Sequence, residues 1–228
     1  MGVRVGLLTI GQAPRQDGLG REIANLLGSG VEITERGALD ELAPNALLNL
    51  ATSQGDRPLI TRLRDGSSTM VSEAGVMPLL QSQLDRLERD DGVTATLLLC
   101  SRAFPPFKHQ RLLLQPHEAL RSAVWHMANG QHLATVVPVA DQLEGLRREW
   151  ATAGVTDVDF FVANPYGPDA IGQVAVTAQK ARKAGARLLF LNCFGFDMAM
   201  RETARTNLGG PVVTARSLAA RLLAELVL

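Results

Sequence analysis

Apolar residues in this chain gather into short runs rich in Val, Leu and Ile, and most of these runs are followed by a stretch with helical periodicity. Val3–Ile10 (VRVGLLTI) is the first predicted strand; the polar loop GQAPRQDG follows, then a helix to about Leu27 that stops at Gly28-Ser29-Gly30. Val31–Glu35 reads as a second strand, and Thr94–Cys100 (TATLLLC) as a third, after the helical stretch QSQLDRLERDDG. Continuous apolar runs alternating with helices are the pattern of a parallel sheet covered on both faces.

The order then recurs. Leu133–Val137 is predicted as a strand, Asp141–Ala153 as a helix ending at Gly154, and Val158–Ala163 as the next strand, leading into the loop NPYGP. A helix over Asp169–Ala184 ends at Gly185, which suits a C-cap. Arg187–Asn192 is the third strand of this half and runs into Cys193. Each half thus reads strand, strand, strand with cysteine, a repeat of pattern rather than of identity.

The first half carries about 34 more residues than the second between equivalent points, largely in residues 40–78. That surplus contains PLITRLRDGSSTMVSE, two arms about Asp65-Gly66, a hairpin signal. Pro211–Thr214 and the amphipathic Ser217–Leu228 make a closing strand and helix, expected to return to the first half. The expected organisation is therefore α/β with two pseudo-symmetric lobes. Lobe A comprises residues 1–117 plus 211–228 and lobe B residues 118–210, each a short, mainly parallel sheet flanked by helices, with a β-hairpin insertion in the first half.

Composition narrows the function classes. The 23 basic residues equal the 23 acidic ones, so neither a nucleic acid nor an anionic membrane is expected as partner. No apolar run approaches the roughly 18 residues of a membrane span, and the N-terminus lacks a signal-peptide pattern. Two cysteines in 228 residues do not make a disulfide framework. A reduced, cytoplasmic protein is the expectation. His109, His117, His126 and His132 have no metal-like spacing, and GLGREI (Gly18–Ile23) lacks the third glycine of a dinucleotide fingerprint. No metal or organic cofactor is called for.

Free cysteine packs as a small hydrophobe, and for a single one core filling is the default reading. Here both Cys100 and Cys193 end a predicted strand, and ligands of open parallel sheets bind outside the carboxyl ends of the strands. Each following loop is read as leading toward a helix, whose N-terminal dipole favours a thiolate. If the lobes face each other, the two thiols would approach one cleft from opposite sides. That arrangement suits removing a proton from one face of a carbon and returning one to the other.

Around them, Arg15 is a candidate bidentate grip for a carboxylate, with a solvated loop arginine as the alternative. Gln12 is a candidate oxyanion donor or a helix cap, and Arg36 a weaker anion candidate beside Glu35. Tyr166, the single tyrosine, is a candidate substrate contact or a turn residue packed on a neighbour. Phe104, Phe107, Phe194 and Phe196 either wall a dry pocket or anchor the cysteine loops on the core.

Several stretches resemble the AroM family: LTIGQAPRQD at Leu8–Asp17, ERGALDEL at Glu35–Leu42, LITRLRDG at Leu59–Gly66, LLLCSRAF at Leu97–Phe104, VVPVADQ at Val136–Gln142, NPYG at Asn164–Gly167, LNCFGFDMAMR at Leu191–Arg201 and ARSLAARLLAEL at Ala215–Leu226. They span almost the whole chain in order. The family in turn resembles the aspartate/glutamate racemase superfamily, which also holds hydantoin racemases, maleate isomerases and arylmalonate decarboxylases. The resemblance implies two α/β lobes, a cysteine at a strand end in each, and cofactor-independent chemistry on small carboxylates.

Cys100 and Cys193 fall on the two cysteine positions of that pattern. Racemases usually place Thr, Ser or Asn after each cysteine; Ser101 fits and Phe194 does not. The hydroxyl-rich or acidic loop expected after the first strand is replaced by Gly11-Gln12-Ala13-Pro14-Arg15. The resemblance therefore implies a racemase, isomerase or lyase with Cys100 and Cys193 as acid/base pair or nucleophile. Gln12, Arg15, Ser101 and Tyr166 are the candidate substrate contacts, a small carboxylate is the expected ligand and a homodimer the expected assembly. A non-catalytic protein that binds or senses a small ligand on the same fold is the competing expectation.

Overall fold

The computed structural model describes residues 2–52 and 56–228. The elements run β1 (Val3–Thr9), α1 (Leu19–Leu27), β2 (Val31–Gly37), β3 (Pro58–Arg62), β4 (Ser68–Ser72), α2 (Glu73–Arg89), β5 (Ala95–Leu98), β6 (Leu112–Leu114) and α3 (His117–Ala128). There follow β7 (Leu133–Val137), α4 (Leu143–Thr152), β8 (Val158–Val162), α5 (Ala170–Lys183), β9 (Leu188–Leu191), α6 (Met198–Leu208), β10 (Val212–Thr214) and α7 (Ala215–Val227). Tertiary contacts divide the chain into two units, Met1–Pro116 with Ala219–Leu228, and His117–Leu218.

The first unit holds a four-stranded parallel sheet in the order β2-β1-β5-β6. β1 is hydrogen-bonded on both sides, with Val5 opposite Ile33 and Ala95, and every residue of β5 is buried. A strand covered on both faces has no polar side to show, which is why these segments read as unbroken apolar runs. The core on one face joins Leu8, Leu39 and Leu98 to Val76, Leu80, Leu84 and Leu87 of α2.

The second unit repeats this topology strand for strand. Its sheet order β10-β9-β7-β8, read from the other edge, is second, first, third and fourth strand, as in the first unit. β7 and β9 are buried at every position. Their core is closed by Val174 and Ala178 of α5 and Met200 and Ala204 of α6.

The repeat corrects two sequence expectations. Pro211–Thr214 was assigned to the first lobe, but β10 pairs in parallel with β9 through Val212–Leu189, Val213–Phe190 and Thr214–Leu191. It is the fourth strand of the second sheet, because the open edge of β9 supplies its backbone partners. The matching fourth strand of the first sheet, β6, escaped the sequence reading: it is three residues long and Leu112 is exposed, so no apolar periodicity marks it.

The insertion forms the expected hairpin. β3 and β4 pair antiparallel, with Arg62 opposite Ser68, and Gly66 takes a φ of 86° in the turn. That left-handed conformation is one that glycine adopts without steric cost. Residues 53–55 of the surplus stretch lie outside the described residues. Among the described residues no helix is long and apolar enough to cross a membrane.

Candidate active site

Both cysteines stand two residues beyond the end of the third strand of their unit, Cys100 after β5 and Cys193 after β9. The sequence placed each on the last strand residue. The ladders stop earlier because the chain leaves the sheet after Leu99, whose N–H donates to Leu8, and after Asn192, whose N–H donates to Val136. Both cysteines are partly exposed residues. The loop after Cys193 leads into α6, whereas the loop after Cys100 leads to β6 and not, as expected, to a helix.

The Cys193 loop is built to hold a sulfur. Asp197 caps α6 by accepting the Met200 N–H at 2.8 Å, which fixes the chain between thiol and helix. Within that segment the Gly195 N–H donates to Cys193 Sγ at 3.3 Å, and the Tyr166 hydroxyl lies 3.8 Å from the same sulfur. An N–H aimed at sulfur is accepted better by a thiolate than by a thiol.

Tyr166 is positioned by its own loop: Asn164 Oδ1 accepts the Tyr166 N–H at 2.9 Å, and Gln173 of α5 accepts the Asn164 N–H at 2.9 Å. A side chain on residue 195 would collide with Pro165 and Tyr166 at 2.6 Å, so only glycine admits this approach. The structure thus brings together Cys193 and Tyr166, two of the residues singled out from sequence.

One determinant of this loop went unrecognised. Arg216 of α7 is buried, and its Nε and Nη2 donate to the Phe194 carbonyl at 3.0 and 2.6 Å. Arg216 shares a helical face with Ala219, Ala220 and Leu223, all fully buried. An arginine heading an i, i+3, i+4, i+7 apolar face is a legible signal that the sequence reading passed over.

In the first unit the loop after β1 is knitted into its own scaffold. Gln12 donates from Nε2 to the Leu39 carbonyl at 3.2 Å and accepts the Arg64 N–H on Oε1 at 2.9 Å. Asp40 accepts the N–H groups of Ala13 and Gly37, each at 2.7 Å, and pairs with Arg64 at 3.0 Å. Arg64 in turn donates to the Ala13 carbonyl from Nε and Nη2. A Cβ on Gly11 would meet the Arg62 carbonyl oxygen at 2.0 Å, so the hairpin can press on this loop only over a glycine.

Three quoted motifs, around Gln12, Asp40 and Arg64, are therefore one structural cluster. Gln12, expected as an oxyanion donor, spends its amide on this cluster.

Arg15 is also engaged within its own unit. Its guanidinium is buried, donates to Thr9 Oγ1 at 3.3 Å and pairs with Asp17 at 2.5 Å. Its charge is paired with Asp17 beside it. Glu35 accepts the Arg15 N–H at 3.2 Å. Burial pushes the Glu35 carboxyl above the usual range, opposed by the backbone hydrogen bond and charge of Arg15. Arg36 is bound to Asp91 by two hydrogen bonds of 2.5 and 2.9 Å.

Ser101, next to Cys100, is buried. Phe104 and Phe107 pack on the first core with ring centroids 6.2 Å apart, while Phe194 and Phe196 are buried. Of the two readings for these rings, loop anchoring is the one that the packing displays. Arg102, absent from the sequence candidates, lies two residues past Cys100; its Nε and Nη1 are buried and have no hydrogen-bond partner among the described residues.

The fold has counterparts among solved structures. Aspartate racemase from Picrophilus torridus is similar with a TM-score of 0.64 at 11% identity, over 98% of this chain and 95% of that one. Allantoin racemase from Pseudomonas fluorescens gives 0.59 at 15% identity, covering 98% and 89%. Unliganded arylmalonate decarboxylase gives 0.53 at 13% identity, covering 99% and 92%. At these identities the likeness is one of fold. No curated protein sequence matches the chain. The family model described as AroM protein matches residues 5–227, nearly the full length, and this chain belongs to the AroM family.

Proposed function

We propose that this protein is a cofactor-independent enzyme of the racemase, isomerase or lyase kind, acting next to the carboxylate of a small substrate. Cys193 is its central thiol and Cys100 the second. The observation that carries the reading is the setting of Cys193: a partly exposed cysteine at the carboxyl end of a buried strand, with the Gly195 N–H 3.3 Å and the Tyr166 hydroxyl 3.8 Å from its sulfur. The fold shared with two racemases and a decarboxylase supports the same reaction kind.

In the two-thiol form, one cysteine as thiolate takes the proton from the carbon beside the carboxylate. The electron pair moves onto the carboxylate oxygens, where hydrogen-bond donors hold the charge. The other cysteine, as thiol, delivers a proton to the opposite face and becomes the thiolate. The roles exchange for the reverse direction, and no electron is lost or gained. This mechanism requires each sulfur to come within about 3.5 Å of the carbon, that is, a separation of roughly 7 Å between them during turnover. A lyase needs one thiol only, to protonate the carbanion left after a carbon–carbon bond breaks.

The second reading is a protein that binds a small ligand without turnover. It is favoured by the commitment of Gln12 and Arg15 to scaffold contacts in the first unit. Solvent-deuterium incorporation at carbon separates the two. Aspartate, glutamate, hydantoins and phenylmalonate are incubated in heavy water with the wild type, Cys193→Ser and Cys100→Ser, and followed by NMR. Exchange lost in both variants supports paired thiols, and exchange lost only in Cys193→Ser supports single-thiol chemistry. Ligand-dependent thermal stabilisation that survives in a double cysteine-to-alanine variant, with no exchange in the wild type, would establish the binding protein instead.

A further inference from the structure

We infer that Arg102 is a carboxylate-binding residue of this site. The inference rests on the reading of the site as one for small carboxylates, and it names the cation that holds them. Arg102 follows Cys100-Ser101 directly, in the loop from β5 to β6. Its Nε and Nη1 are buried, and no acceptor reaches either among the described residues.

Several arginines of the first unit have a carboxylate partner, and Arg102 has none among the described residues. Arg15 has Asp17, Arg36 has Asp91, Arg4 has Glu32, Arg64 has Asp40 and the Ala13 carbonyl, and Arg86 has Glu41. A guanidinium stays charged at any physiological pH and carries five N–H donors. Burying such donors without an acceptor opposes folding unless a partner arrives.

The partner must be an anion with oxygen acceptors, and a carboxylate meets a guanidinium edge with two parallel hydrogen bonds. Placed two residues from the thiol, such a grip would hold a carboxylate while its neighbouring carbon is presented to Cys100. The developing negative charge of the carbanion, spread onto the same carboxylate, would then fall on a fixed cation. Ser101, buried beside it, adds a hydroxyl to the same loop.

The test uses the intact chain with malonate, maleate and inorganic phosphate as probes, read by calorimetry, together with urea unfolding in the absence of anions. Wild type and Cys100→Ser are expected to bind malonate or maleate, Arg102→Gln to bind at least tenfold more weakly, and Arg102→Lys to recover part of the loss. Without anions, Arg102→Gln is expected to unfold at the same urea concentration as wild type or a higher one, because an unpaired charge has been removed. A large drop in that midpoint would make Arg102 a structural residue and overturn the inference.

Carboxylate binding unchanged in Arg102→Gln, or no carboxylate binding by wild type, also overturns it. Phosphate bound in place of carboxylates would overturn the ligand class. Failure of the enzymatic reading is distinct: malonate binding that depends on Arg102, with no deuterium exchange in any substrate, leaves the grip standing and removes the catalysis.

Discussion

Tyr166 lies so close over Gly195 that a methyl group at residue 195 would stand 2.6 Å from its ring carbon Cζ and 2.7 Å from its hydroxyl oxygen. The same glycine donates its N–H to Cys193 Sγ. One backbone position thus sets both the sulfur's hydrogen bond and the distance of the phenol from it.

Gly195→Ala must push Tyr166 away or shift the loop. An overpacked contact of this kind costs about 1–3 kcal/mol. The variant is expected to unfold at lower urea concentration, and in a Cys100→Ser background its Cys193 is expected to alkylate at an altered rate with iodoacetamide. Tyr166→Phe, which removes only the hydroxyl, should leave stability within about 0.5 kcal/mol if that group serves the thiol and not the core. A rate of alkylation unchanged in both variants would remove Tyr166 and Gly195 from the thiol's surroundings.

Arg216→Met should loosen the same loop from behind. It strips the buried Phe194 carbonyl of both guanidinium donors, and an unsatisfied buried acceptor costs about 1–3 kcal/mol. Urea unfolding measures this loss. Arg216→Lys, with one ammonium in place of a two-pronged fork, is expected to recover only part of it.

The cluster around Asp40 gives a different kind of prediction. Asp40→Ala removes the acceptor for the Ala13 and Gly37 N–H groups as well as the ion pair to Arg64. Hydrogen bonds to a charged group are worth about 1.5–3 kcal/mol, whereas a partly exposed ion pair is worth about 0.2–1 kcal/mol. In a double-mutant cycle with Arg64→Ala, the single Asp40→Ala loss is therefore expected to exceed the Asp40–Arg64 coupling. Equal values would mean that the backbone bonds contribute nothing.

His132 confers a pH dependence on stability. Its Nδ1 lies 2.5 Å from Asp157 and its Nε2 3.1 Å from Asp159. The hydrogen bond to Asp157 is the leading cause that raises the imidazole above its ordinary pKa of 6.5, partial burial opposes it, and Asp159 adds to it. A raised folded pKa means that this stabilisation is fully present below about pH 6.5 and is lost as pH rises through the folded value. The urea midpoint should fall across that window in the wild type, and the fall should shrink in His132→Asn. A midpoint falling equally in both would assign the effect to other groups.

The α/β class, most strands, the hairpin about Gly66 and the placing of both cysteines near the carboxyl ends of strands were legible because each rests on local pattern. β5, β7 and β9 are buried along their whole length, and that burial demands unbroken apolar runs. The fourth strands fared differently: Pro211–Thr214 reads as a strand but its sheet was not legible, and β6, three residues long, is too short to carry a period of its own.

Polar side chains were less legible. Tyr166 and Cys193 meet in the structure, but Arg15 and Gln12 read as grips because a strand-end loop is where ligands bind, and nothing local to them names Asp17 or Leu39 as partners. The sequence by itself determined which segments must be covered and where the sheets end, since the hydrophobic effect acts on area and follows the residue pattern. Only the tertiary structure decided the fate of the charges and amides. A hydrogen bond depends on which distant backbone comes within about 3 Å, as Arg64 does for Gln12 across 52 residues and Arg216 for Phe194 across 22.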